Sequence, residues 1–209
     1  MQNFRPERQL LLNIGLYGYG ALLLFSTLWC YLAEVDLAPF LIPRSKDMII
    51  GAGAGLLLVG SSALLMTLSH LLEISIKPNA GKRIFLSMKE IALNELAPVF
   101  AEAKPFDIVL LSVLSGFCEE VFFRGALQLD FNIWIAAAVF GFFHMPTFKY
   151  LTYGIWAAAV GVFLGLLMDR THSLWAPIVA HTLNNLLVIL FLKYGPIKGT
   201  APATEKSKD

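Results

Sequence analysis

The sequence predicts an all-α fold, a polytopic integral membrane helix bundle of about six membrane helices plus one interfacial amphipathic helix. Three observations carry that expectation. Of 209 residues, 57% are hydrophobic and only 15% charged, a composition with too little polar surface to cover a soluble core. The apolar residues fall in runs close to the roughly 20 residues that one helix needs to cross a bilayer. Charges and prolines gather between those runs, leaving a net charge of +1, which offers no basic face for nucleic acid.

The first run, Gln9 to Ala33, follows Arg5 and Arg8 and is too long for the core of a cleavable signal peptide, so it is expected to stay as a span. The second, Met48 to Ile76, opens on "GAGAG". Glycine-rich turns cradle phosphates when a strand precedes them, but here lipid surrounds the segment, so Gly51 and Gly55 are expected to seat a neighbouring helix. Gly161 and Gly165 suggest the same packing. Between the second and third spans, Phe85, Met88, Ala92, Leu96 and Val99 recur at helical spacing, with Lys89, Glu90 and Glu95 off that stripe. This is the expected interfacial helix, with Pro98 as a kink.

The remaining spans are read at Asp107 to Leu129, Ile133 to His144, Thr147 to Met168 and Leu174 to Tyr194. The fourth is short for a crossing and is expected to be tilted, half-buried, or joined to the fifth through a kink at Pro146. The chain thus divides into 1–105, two membrane helices and a cytoplasmic connector; 106–195, a membrane core; and 196–209, a polar tail expected to be disordered. Most lysines and arginines fall on one side when both termini are placed in the cytoplasm. Cys30 and Cys118 sit within spans and form no disulfide framework or metal-binding spacing. No internal repeat suggests a two-halved transporter.

The third span contains "CEEVFFRG", Cys118 to Gly125, with three charges where a single one costs about 2.5–3.5 kcal/mol to insert. Glu120 and Arg124 are four apart, glutamate first, and share a helix face, so they can neutralise each other. Glu119 points about 100° away and is left without that partner. All three could serve only to hold helices together. His144, His181 and Asn185 could each be packing residues too, but their depths coincide. With about 1.5 Å of rise per residue, Glu119, His144, His181 and Asn185 all fall in one layer near mid-membrane.

A carboxylate, imidazoles and an amide in one layer are the parts for activating water and holding a tetrahedral oxyanion. That is the chemistry of peptide-bond hydrolysis without a covalent enzyme intermediate. Cys118 is a competing nucleophile but faces no assigned base. Glu119, Glu120, His144 and His181 could alternatively ligate zinc, although no H-E-x-x-H spacing is present.

At these residues the sequence resembles the CPBP family, the intramembrane proteases of CAAX processing and bacteriocin processing, also called the abortive-infection family. The resemblance runs from about Asp107 to Leu190 through "EEVFFR" (Glu119 to Arg124), "FGFFH" (Phe140 to His144) and "HTLNN" (His181 to Asn185), with "SLW" leading into the last. It implies a type II CAAX prenyl endopeptidase-like, glutamic-type enzyme without a cofactor. Glu119 would activate water with His144 assisting, His181 and Asn185 would stabilise the oxyanion, and Glu120 and Arg124 would shape the site. The implied partner is a membrane-associated protein or peptide substrate, and the implied location the prokaryotic cytoplasmic membrane. A noncatalytic membrane binding or immunity protein on the same scaffold is the alternative.

Overall fold

The computed structural model describes residues 6–75, 90–145 and 147–195, all of whose regular structure is helical. The first half of the expected interfacial helix, the proposed kink at Pro146 and the polar tail lie outside the described residues. Four described helices are long and apolar enough to cross a membrane: α1 (Arg8–Leu32), α2 (Ser45–Ser75), α6 (Leu151–Thr171) and α7 (Trp175–Tyr194). Their outward faces carry large apolar side chains such as Tyr17, Leu24, Leu57 and Ile155. Such a surface requires an apolar solvent.

The connector after α2 is described from Glu90, which leads into a short helix, α3, with π-helical Ile91–Leu96 followed by Ala97–Val99. The third expected span, α4, begins as Pro105–Glu120 and continues as π-helical Val121–Gln128. Its start is well fixed. Pro105 occupies the first turn, where its missing N–H costs nothing, and the Asp107 carboxylate accepts from the Lys104 N–H at 2.7 Å. The same carboxylate accepts two bonds from Arg8 on α1, at 2.6 and 2.7 Å, which joins the two helices at one end.

The π-helical part of α4 is buried along its whole length. A π turn inserts one extra residue per turn and rotates the residues beyond it about the helix axis, so this stretch turns Arg124 and Gln128 toward α6. Arg124 donates to the Gly161 carbonyl at 3.1 Å, and Gln128 donates to the Gly165 carbonyl at 3.2 Å and to Asp169 at 2.8 Å. The Gly161 and Gly165 surface therefore meets α5 and the polar side chains of α4.

Helix α5 (Ile133–Phe143) starts at Asn132, whose side chain accepts from the Trp134 and Ile135 N–H groups at 2.9 and 3.0 Å. Its 11 residues give a length of about 16 Å, half the hydrocarbon core. It ends at His144, inside the bundle. Helix α5 is separate from α6, with a 3₁₀ turn, Phe148–Tyr150, lying between them.

Helix α2 packs along α7, and α1 along α4. The expected glycine contacts are present: a methyl group added at Gly55 would lie 2.9 Å from the Ala180 carbonyl oxygen, and one at Gly51 would collide with the Ala176 carbonyl. Close backbone approach, the usual glue of helices in lipid, holds α2 against the helix that carries His181. At the far end, Arg44 donates to the carbonyls of Thr171 and His172, and Trp175 donates to the Leu41 carbonyl. His172 adopts a left-handed φ of 49° that ends α6 and lets α7 turn back beside it.

Candidate active site

The adjacent carboxylates of α4 face different surroundings. Glu120 is fully buried, and its Oε1 accepts from Arg124 at 3.0 Å and from His181 Nδ1 at 2.7 Å. Arg124, 1% exposed, cannot be hydrated. It is held instead by Glu120, by the Gly161 carbonyl and by the Phe140 ring, whose centroid lies 4.6 Å from its guanidinium carbon. Removing two opposite charges from water is tolerable only with such compensation. The i, i+4 pairing read from the sequence is thus the observed one, and His181 is its third member.

Glu119 faces a cavity of about 610 Å³. Its Oε1 accepts from the Tyr19 hydroxyl at 3.3 Å, and its Oε2 stands 3.7 Å from His144 Nε2. His144 Nδ1 lies 2.8 Å from the Phe140 carbonyl oxygen. A carbonyl only accepts, so Nδ1 carries a proton, and Nε2 is the ring nitrogen turned toward Glu119. At 3.7 Å the two groups do not bond directly.

Asn185 also lines the cavity, and its Nδ2 donates to Ser115 Oγ at 2.9 Å. Asn184 donates to Asn185 Oδ1 at 3.3 Å, which fixes the orientation of the Asn185 amide. One N–H of that amide remains for another acceptor. His181, Glu120 and Arg124 are not part of the lining. They form a layer behind it, separated from His144 by Phe140, which stacks on His144 with centroids 4.1 Å apart and meets His181 edge-on at 5.8 Å.

All six residues expected at the site are therefore brought together, but in two layers: Glu119, His144 and Asn185 at the cavity, and Glu120, Arg124 and His181 behind it. Tyr19 and Ser115 are additions that the sequence reading missed. A signal for Tyr19 existed, because Leu11, Gly15, Tyr19, Ser26 and Cys30 form one stripe of α1 and a hydroxyl-bearing residue sits in its middle. Cys118 is buried beside them and unpaired with any base. Among the described residues, no group of three or more His, Cys, Asp or Glu is arranged to hold a metal ion.

Comparison with known proteins bears on the segment that holds most of these residues. Residues 101–187 match the family described as type II CAAX prenyl endopeptidase Rce1-like. This segment is similar to that family. All six expected site residues lie within the segment, whereas Tyr19 does not. Two Bacillus subtilis (strain 168) proteins are similar to the chain: "Uncharacterized protein YpbD", 34% identical over 86 residues, 40% of this chain and 44% of that protein, and "Putative membrane peptidase YdiL", 31% identical over 97 residues, 43% of this chain and 38% of that protein. The chain thus spans less than half the length of these relatives. No solved structure matches it.

Proposed function

We propose that this protein is an intramembrane endopeptidase that hydrolyses a peptide bond of a membrane-associated protein or peptide by glutamate-activated water. The observation that carries this reading is Glu119, on the cavity lining, whose buried Oε2 has no hydrogen-bond partner and stands 3.7 Å from His144 Nε2. A water molecule donating to both would keep its oxygen lone pair free to attack a carbonyl carbon. Glu119 takes the first proton as general base and returns it to the leaving amine as general acid. His144, held by the Phe140 carbonyl, assists without competing for that carbonyl's position.

As the carbonyl carbon becomes tetrahedral, its oxygen gains charge and needs preplaced donors. Asn185, oriented by Ser115 and Asn184, offers an N–H from α7. His181, on the same helix one turn earlier, lies behind the cavity lining with its Nδ1 bonded to Glu120, so it supports the site from behind instead of facing the oxyanion. On this reading Glu119 and His144 activate the water without a metal ion. The match to the Rce1-like family and the similarity to a protein described as a putative membrane peptidase support a membrane peptidase.

The decisive experiment compares membrane proteomes of cells carrying the wild-type protein and Glu119→Gln and reads new C-termini. The expected result is a set of termini that depends on Glu119, and purified protein is expected to generate them in the presence of chelators. Identical termini with both proteins would remove the peptidase reading in favour of a noncatalytic membrane binding or immunity protein.

A further inference from the structure

The cavity extends well beyond the reacting groups, and one of its walls is α1. Leu11, Gly15, Tyr19, Leu22 and Phe25 line it, a run of about 21 Å along the helix axis. Apart from Tyr19, that wall is apolar. Its single hydroxyl therefore has a purpose to explain, because a phenol facing an apolar cavity is worse placed than a phenylalanine unless it has a partner. The partner is Glu119 Oε1, at 3.3 Å.

We infer that Tyr19 is a positioning residue for Glu119, and that α1, outside the segment similar to the Rce1-like family, completes the site. Binding one carboxylate oxygen fixes the rotation of the carboxyl group, so that Oε2 is directed at His144. No other described helix supplies a hydrogen-bond donor to Oε1. The groups within electrostatic reach of Glu119 are Tyr19 from α1, Cys118 and Arg124 from α4, His144 from α5, Tyr153 from α6 and His181 from α7. Arg124 is spent on Glu120, which leaves Tyr19 as the donor that distinguishes the two oxygens of Glu119.

Only the kinetic half of this inference rests on the peptidase reading. The test is labelling of Glu119 by dicyclohexylcarbodiimide, which modifies carboxyl groups in apolar surroundings and reacts faster with an oxygen not held by a hydrogen bond, followed by mass spectrometry of the reconstituted full chain. Tyr19→Phe, which removes one oxygen, is expected to raise the labelling rate at neutral pH about fivefold. Tyr17→Phe, on the exposed face of the same helix, is expected to leave it unchanged, and Glu119→Gln to abolish the adduct. With a cleaved substrate in hand, Tyr19→Phe is further expected to lower kcat about fivefold with little change in KM. Equal labelling of Tyr19→Phe and wild type would overturn the inference. A chain that cleaves nothing but still shows the labelling difference would overturn the peptidase reading and leave the role of Tyr19 standing.

Discussion

Glu119 and Glu120 are neighbours in sequence and opposites in environment. Glu120 is enclosed, with Arg124 and His181 on one oxygen, and its charge is balanced before any ligand arrives. Glu119 meets a cavity, a weakly bound phenol and a histidine too distant to neutralise it. The first arrangement spends charge on holding helices α4, α5, α6 and α7 in register. The second leaves a carboxylate available. A single residue step thus separates scaffold from chemistry, and the roughly 100° rotation between adjacent residues is what makes the separation possible.

The comparison can be broken in order of effect. On the proposed reading, Glu119→Gln lowers hydrolysis by about 10⁴-fold, the upper range for removing a general base, while the thermal midpoint in detergent stays close to that of wild type. Arg124→Leu does the reverse. It leaves Glu120 charged and enclosed without its cation, a loss of about 3–5 kcal/mol, seen as a lowered midpoint and poor recovery from the membrane. A fully stable Arg124→Leu protein would show that the enclosed layer is not structural.

His144→Ala is expected to reduce turnover by about 10²-fold with the fold intact, measured as kcat on the same substrate. Ser115→Ala is the mildest test. It removes one hydrogen bond that orients Asn185, about 1 kcal/mol, so turnover should fall about fivefold. If Ser115→Ala proved as damaging as Glu119→Gln, Ser115 would belong with the reacting groups and not with their supports.

Much of this organisation was legible in the sequence because lipid makes polar residues conspicuous. In a chain this apolar, Glu120 and Arg124 four residues apart could only be partners, and the structure places them so. The packing of Gly51 and Gly55 against α7 was readable for the same reason. The features that were not legible depend on the third dimension. Tyr19 looks like an ordinary amphipathic aromatic residue until α1 is laid against α4. The division of His181 and Asn185 between two layers, four residues apart on one face, is set by Phe140, a side chain with no polar atom to draw attention. The π-helical stretch from Val121 to Gln128 has no simple sequence signature either. It arises from tertiary demands on Arg124 and Gln128, which reach carbonyls on α6.

Lys193 donates to the carbonyls of Phe100, Ala101 and Ala103, and Phe100 lines the cavity. The two ends of that clasp are 93 residues apart. During synthesis, the segment at Phe100 leaves the ribosome long before Lys193 exists, and helices α4 to α7 must be inserted in between. This side of the cavity is therefore fastened last. A nascent chain passes through a stage with Glu119 already made but the wall at Phe100 not yet clasped, so the cavity is complete only once α7 is in place.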